Sequence, residues 1–93
     1  MLKIEAIQII KAYKLRCFFN TGEQKIFDLE QTLDVNNVFV KKILNPNTFN
    51  LVKIGVLGQI QWDGIGEIKD NDGSAILCEY DISPEFVYYN SET

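Results

Sequence analysis

The chain has 93 residues, of which 46% are apolar, so it is long enough for one hydrophobic core and too apolar for a disordered tail. It contains no histidine, which excludes Ser-His and Cys-His nucleophile pairs and removes the commonest metal ligand. We therefore predict a single domain over residues 1–93 that binds no cofactor. The missing histidine also favours a protein that is not an enzyme.

The net charge of −4 is unevenly divided along the chain. Residues 1–53 carry eight Lys and Arg against five Asp and Glu, and residues 54–93 carry one lysine against eight acids. Such a division can steer a charged partner or orient a head-to-tail self-association. If the two halves interleave in the fold, their opposite charges offset each other, and we expect this outcome.

The two cysteines, Cys17 and Cys78, lie far apart among apolar neighbours, which is typical of buried thiols and not of a disulfide framework. The sequence does not begin with a charged and then apolar leader, and its longest apolar run is far shorter than the roughly 18 residues that span a bilayer. We therefore predict a reducing, cytoplasmic location without a membrane segment.

Apolar residues alternate with polar ones through most of the first 29 residues, which predicts three strands. The first begins at Leu2, and its alternation slips near Ile7, which indicates a bulge. The second runs from Tyr13 to Phe19. A turn at residues 20–23 then leads to the third strand at Gln24–Leu29, so an antiparallel meander is predicted.

Helical spacing replaces alternation between residues 30 and 52. One short turn is predicted at Leu29–Leu33. Asn36 or Asn37 can cap a short helix, and Asn45-Pro46 reads as an N-cap followed by proline at the first position of another, which should extend through Leu51. Helices this short need tertiary contacts, so we expect them to lie on the sheet.

Strand patterns return after residue 52. A hairpin is predicted over residues 52–62 with its turn at Gly58, and the glycines at 64 and 66 predict a bulge. Residues 70–73 predict a tight turn into a last strand, whose Ile76, Cys78 and Tyr80 share one face. A C-terminal helix should begin at Ser83, and residues 91–93 should fray. The predicted fold class is α+β, with five to six antiparallel strands, two short middle helices and a C-terminal helix on the sheet.

The acidic turn has a partial likeness to a calcium loop. With Gly73 at the invariant glycine of an EF-hand, Asp70, Asp72 and Glu79 occupy ligand positions, but Ile68 occupies the first. Both flanks read as strands. An ordinary hairpin turn is therefore favoured over a metal site.

Two other groups of residues suggest other functions. Trp62, Asp63 and Glu67 suggest a small-molecule site or a carboxylate enzyme, although acids on a hairpin usually face water. A basic and aromatic strand face suggests nucleic-acid binding, which the acidic net charge opposes. We favour a solvated or protein-contacting surface for that face, whose residues are Lys14, Arg16 and Phe18, with Lys25 from the next strand.

Two C-terminal segments carry a resemblance to a known family: Trp62-Asp63-Gly64, and Asp81-Ile82-Ser83-Pro84-Glu85-Phe86-Val87-Tyr88. Together with the opening meander, they resemble the bacterial family catalogued as domain of unknown function 2442. The resemblance implies a small α+β fold without an established activity. Some members resemble antitoxin-like partners of a small neighbouring protein, and some carry a C-terminal helix-turn-helix. This sequence has no such helix pair, so DNA binding is not carried over.

The sequence departs from that family where residues 65–80 form an extra hairpin between the two segments. The shared residues also have structural explanations, because Trp62 can anchor a core and Ser83 can begin a helix. We therefore expect a non-enzymatic module that contacts itself or a small partner protein, and no membrane or nucleic acid. The residues that we single out for interaction are Trp62, Asp63, Gly64, Asp81, Ser83, Pro84, Glu85, Tyr88, Lys14, Arg16 and Phe18.

Overall fold

A computed structural model describes all 93 residues as an α+β fold with six strands and four short helices. The strands form two antiparallel sheets of three strands each. In chain order the elements are β1 (Ile4–Lys11), β2 (Lys14–Phe19), β3 (Gln24–Asp28), α1 (Leu29–Thr32), α2 (Val38–Ile43), α3 (Pro46–Phe49), β4 (Lys53–Ile54), β5 (Ile60–Lys69), β6 (Ala75–Ile82) and α4 (Pro84–Tyr89).

The N-terminal sheet is the predicted meander, with β2 between β1 and β3. Alternate residues of β2, namely Leu15, Cys17 and Phe19, are buried, because successive side chains of a strand point to opposite faces of the sheet. The pairing of β1 with β2 shifts register near Ile4 and again near Lys11, which confirms an irregular first strand.

Asparagine and aspartate side chains begin the three middle helices. The Asn37 side chain accepts hydrogen bonds from the backbone N–H groups of Phe39 and Val40, and Asn45 caps α3 ahead of its proline. The predicted cap at Asn45 is confirmed, and of the two alternatives Asn36 and Asn37 the structure uses Asn37. The helix predicted to reach Leu51 ends at Phe49, because the Leu51 side chain is exposed and gains no apolar contact by staying helical.

The C-terminal sheet has the order β4-β5-β6. Its first strand is shorter than predicted, because residues 55–58 form a turn in which the Gly58 N–H donates to the Gly55 carbonyl. In the longer β5–β6 hairpin, Trp62 pairs with Tyr80 and Gly66 pairs with Cys78, so three residues of β5 face one of β6. The predicted glycine bulge is confirmed.

A single cluster of buried side chains joins both sheets and the helices. The indole N–H of Trp62, on β5, donates to the carbonyl of Phe49, at the end of α3, at 3.2 Å. The Ile4 N–H donates to the Gly58 carbonyl at 2.9 Å and so links β1 to the C-terminal sheet. The twelve clustered residues are Ile4, Leu15, Cys17, Phe19, Phe27, Leu29, Ile43, Phe49, Ile60, Trp62, Ile82 and Val87.

The C-terminal helix begins as predicted. The Ser83 Oγ accepts a hydrogen bond from the Phe86 N–H at 3.1 Å, and Pro84 occupies the first turn. The prediction that residues 91–93 fray is wrong at Glu92, whose backbone N–H and carbonyl both pair with Ile26 of β3. That pairing supplies hydrogen bonds that a fraying tail would lose.

Replacing Ser83 with alanine should lower the free energy of unfolding by about 0.5–2 kcal/mol, because the Phe86 N–H loses its acceptor. Ser83→Gly should cost less, since glycine at this position leaves the N–H open to water. Glu85→Lys should also cost less and should depend on salt, because the side chain is exposed. Denaturant melts of the three variants test this order, and a larger loss from Glu85→Lys than from Ser83→Ala would contradict it.

Candidate interaction surface

The far part of the β5–β6 hairpin, residues 66–78, lies outside the buried core, and we call it the distal hairpin. None of its side chains belongs to the core cluster. The molecule measures 46 Å along its longest axis and 26 and 20 Å across it. Its Cα radius of gyration of 13.6 Å exceeds the roughly 12 Å expected for a compact chain of this length.

The distal hairpin has one apolar face. Cross-strand pairing places Ile68 opposite Ile76, and Gly66 opposite Cys78, so these four residues share one side of the sheet. The side chains of Ile68 and Ile76 are 59% and 52% exposed. No charged residue lies among them, and we call these four residues, together with Tyr80, the apolar face.

The apolar face continues the core face of the C-terminal sheet. On β6 the same parity leads from exposed Ile76, through half-buried Cys78 and Tyr80, to buried Ile82. The Tyr80 ring lies beside the Phe39 ring of α2, with centroids 6.2 Å apart. The helices therefore cover this face as far as Tyr80 and leave it open beyond.

The opposite side of the distal hairpin is charged. Its residues are the other members of the cross-strand pairs, Glu67 with Leu77 and Lys69 with Ala75, followed by Glu79 along β6. The Glu67 carboxylate lies 3.8 Å from the Lys42 ammonium of α2. Leu77 is 61% exposed on this side, opposite Glu67 and between Ala75 and Glu79 along β6.

Both edges of the distal hairpin are unpaired. Strand β6 is the outer strand of the C-terminal sheet, and β4 reaches only Ile60 and Gln61 of β5. A groove of about 260 Å³ lies beside the end of β6. Its lining residues are Leu33, Tyr80 and Phe86, together with Asp81 to Ser83. An apolar face, an open strand edge and an apolar groove therefore meet near Tyr80.

The carboxylates that suggested an enzyme are dispersed. Trp62 is buried, whereas Asp63 is exposed and pairs with the Lys53 ammonium at 2.5 Å. The hydrogen bond from Lys53, followed by one from Gln61, lowers the pKa of Asp63. Glu67 lies beyond the bulge against Lys42. The structure thus does not bring Trp62, Asp63 and Glu67 together.

The acidic turn uses its carboxylates to hold its own backbone. Asp70 accepts from the Asn71 N–H, and Asp72 accepts from both the N–H and the hydroxyl of Ser74. These hydrogen bonds from Ser74 lower the pKa of Asp72. Nowhere in the chain do three or more Cys, Asp or Glu side chains form a group able to hold a metal ion.

Adding millimolar calcium should leave the melting temperature unchanged, because an occupied site would stabilise the fold by mass action and the turn carboxylates already have partners. Thermal melts with calcium and with EDTA make the comparison. A rise of several degrees that EDTA reverses would show that a calcium site exists at this turn.

The predicted basic face exists on β2 but lacks Lys25. Lys14, Arg16 and Phe18 lie on the outer side of the N-terminal sheet and are half-buried. Lys14 is 3.7 Å from the Asp28 carboxylate, which offsets its charge. Lys25 pairs with Cys17 and therefore lies on the core side, so the expectation that it joins this face is wrong.

Lys25 instead contacts the C-terminal helix. Its ammonium lies 3.9 Å from the centroid of the Tyr88 ring and donates to the Tyr88 carbonyl. The Tyr88 hydroxyl donates to the Glu23 carboxylate at 2.8 Å, which raises the pKa of Tyr88 and lowers that of Glu23. Tyr88 of the family-like segment thus fastens α4 to the β2–β3 turn.

The other residues of that segment line a second groove. Asp81, Ser83, Pro84 and Glu85 form one side of a shallow depression of about 270 Å³, and the N-terminal residues Met1 and Leu2 and the Leu57–Gln59 turn form the other. Gly64 lies in the bulge with φ +74° and open space around its Cα. The sequence pattern contains no signal for this groove, because its two sides are separated by more than 20 residues.

The two thiols differ in environment. Cys17 is fully buried, and burial raises its pKa to about 12, whereas Cys78 is only half-buried, so the prediction of two buried thiols holds for one of them. The Cys78 side chain packs over Gly66, because a Cβ at that position would lie 2.8 Å from the Cys78 sulfur.

In the native state, a thiol reagent should react with Cys78 and spare Cys17 until the protein unfolds. The folded chain keeps Cys17 protonated to about pH 12, whereas an ordinary thiol ionises near pH 9. The free energy of unfolding should therefore fall as pH rises from about 9 towards 12. Ellman titration and melts across this range test both statements, and Cys17→Ala should show a shallower fall. Equal labelling of both thiols would contradict the assignment.

No helix in the structure is long and apolar enough to cross a membrane. Comparisons with protein-family models, with curated proteins and with solved structures found no match to this chain.

Proposed function

We propose that this protein is a non-enzymatic interaction module that binds another protein chain through the apolar face of its distal hairpin. The observation that carries the proposal is the exposure of Ile68 and Ile76 on a charge-free strand face that continues the core. Fully burying an exposed side chain of this size is worth about 1.5–3 kcal/mol, and since these two are about half exposed, a partner that covers them gains roughly half of that from each.

Three further observations support this proposal. The open edges of β5 and β6 offer backbone hydrogen bonds to a partner. Asp63 and Glu67 are each paired with a lysine, and Asp72 holds the turn, so these carboxylates do not form the close pair that acid–base catalysis would use. The resemblance to the family catalogued as domain of unknown function 2442, some of whose members resemble antitoxin-like partners, is in keeping with protein binding. A bacterial origin and a cytoplasmic location are parts of the same proposal.

Photo-crosslinking in the native cell tests the proposed surface. A benzoylphenylalanine at position 76 should give one discrete adduct, identified by mass spectrometry as either this chain or one partner protein. The matched control places the same group at Ile10, which is 41% exposed on the outer side of the N-terminal sheet. No adduct at position 76, or the same adducts from both positions, would overturn the proposal.

Nucleic-acid binding is the competing function for the face formed by Lys14, Arg16 and Phe18. Phosphate contacts give strong retention at low salt that decreases as salt increases. An interaction module with these properties should flow through heparin at low salt. Retention that Arg16→Ala abolishes would favour the nucleic-acid function instead.

A further inference from the structure

The outer edge of β6 offers backbone hydrogen bonds as well as side chains. The Asp70 N–H donates to the Ser74 carbonyl at 2.8 Å, so the backbone groups of even-numbered β6 residues point towards β5. Those of the odd-numbered residues Leu77, Glu79 and Asp81 therefore point outward, and no other strand lies beside them. We call this stretch of β6 the open edge.

The two sides of the open edge differ in charge. Glu79 and Asp81 are exposed on the charged side, and none of the ion pairs in the structure includes them. The half-buried side chains of Cys78 and Tyr80 lie on the other side. Residues directly opposite each other on adjacent strands share one side of the sheet and touch. A strand added at the open edge would therefore place its side chains alternately against carboxylates and against apolar groups.

The apolar groove beside the end of β6 adjoins the open edge. Leu33 and Phe86 line this groove together with Tyr80, and the Phe86 side chain is 40% exposed. The groove is empty of other side chains of this chain and lies next to the position that an added strand would take. It offers an apolar side chain of that strand a place away from water.

We infer that the open edge binds a basic, extended segment of a partner protein, which adds to the C-terminal sheet as a strand of alternating apolar and basic residues. This inference rests on the proposed function, because it names the chemistry of the partner. Charge decides between the segments that an edge could accept. Basic residues opposite Glu79 and Asp81 form pairs of opposite charge, whereas the same edge of a second copy would bring carboxylates together. The net charge of −4 also attracts a basic segment.

Fluorescence anisotropy with a labelled peptide of alternating valine and lysine tests the inference. The peptide should bind the purified chain saturably, with one peptide per chain. A peptide of alternating valine and glutamate should bind about tenfold more weakly, because its carboxylates would lie opposite Glu79 and Asp81. A peptide with the same valines and lysines in two separate blocks should also bind more weakly, since it cannot match both sides of the open edge. Equal binding of the three peptides would overturn the inference.

Reversing the charge of the open edge should reverse its preference. The double variant Glu79→Lys with Asp81→Lys should bind the glutamate peptide more tightly than the lysine peptide. The matched control, Glu5→Lys with Glu92→Lys, changes the net charge by the same amount at two exposed positions of the N-terminal sheet. This control should keep the preference for lysine. The same change of preference in both variants would show attraction by net charge alone and would overturn the assignment to the open edge.

Methylation of the peptide backbone provides a measurement on the unaltered protein. Only alternate N–H groups of an added strand point towards its neighbour in the sheet. A peptide N-methylated at its lysines and one N-methylated at its valines should therefore differ, because one loses the hydrogen bonds to β6 and the other keeps them. If both peptides bind, or if neither does, the segment does not add as a strand and the inference is wrong.

The photo-crosslink at position 76 distinguishes failure of this inference from failure of the proposed function. A captured partner protein with a segment of alternating apolar and basic residues supports both. Capture of this chain itself, or of a partner without such a segment, leaves the proposed function standing and overturns the basic strand. The absence of any adduct overturns both.

Discussion

Trp62→Ala should lower the free energy of unfolding by about 3–5 kcal/mol, the largest effect that we expect from a single substitution in this chain. The indole is buried within the cluster that joins both sheets, so its removal leaves a large cavity. It also ends the hydrogen bond to the Phe49 carbonyl. Total stabilities of small domains are about 5–15 kcal/mol, so denaturant melts should show a marginal fold.

Trp62→Phe separates the contribution of the buried volume from that of the hydrogen bond to the Phe49 carbonyl. Phenylalanine keeps most of the buried volume and loses the indole N–H, while the Phe49 carbonyl still accepts from the Val52 N–H at 3.1 Å. This variant should therefore lose much less stability than Trp62→Ala. If Trp62→Ala left stability nearly unchanged and abolished partner binding, Trp62 would be a surface contact and the assignment to the core would be wrong.

Gly58→Ala should cost about 2–5 kcal/mol by adding two penalties. Gly58 has a φ of +78°, which disfavours any residue with a Cβ. A Cβ at this position would also lie 2.8 Å from the Cα of Lys3, the residue before β1, whose Ile4 N–H donates to the Gly58 carbonyl. Relief of the clash would move β1 away from the C-terminal sheet.

Gly22→Ala is the matched control, because Gly22 has a φ of +91° and no atom near its Cβ position. Gly22→Ala should lower the free energy of unfolding only by the cost of the positive φ, about 1–2 kcal/mol. Urea melts of both variants measure the difference, which reports the close approach of β1 to the Gly55–Gly58 turn. Equal losses from the two substitutions would show that this approach contributes nothing to stability.

Local rules were sufficient to predict most element boundaries. Asn45 and Ser83 are predictable as caps, and either Asn36 or Asn37 as a third, because a short polar side chain before an apolar stretch satisfies the first backbone N–H groups of a helix. The bulge at Gly64 and Gly66 followed from the cost of glycine within a strand. These features depend on residues within a few positions of one another, so the sequence determines them directly.

Features that depend on distant residues were not predictable. Alternation correctly placed Ile76, Cys78 and Tyr80 on one face, but it could not show that the helices end their cover at Tyr80. The side of the sheet on which Lys25 lies depends on its pairing with Cys17 across the β2–β3 turn, and a shift of one residue reverses it. The sequence therefore predicts the strand that carries the candidate surface, but the exposure of that surface is seen only in the structure.

The pairing of Glu92 with Ile26 covers the middle of the outer edge of β3. An exposed edge invites other chains to add to the sheet, and many proteins protect such edges with charge or with a covering segment. Glu92 supplies both, because its backbone pairs with the N–H and carbonyl of Ile26 and its carboxylate adds charge beside them. The segment after the last helix thus protects the outer edge of the N-terminal sheet against aggregation, whereas the edges of the distal hairpin are left available for selective contact.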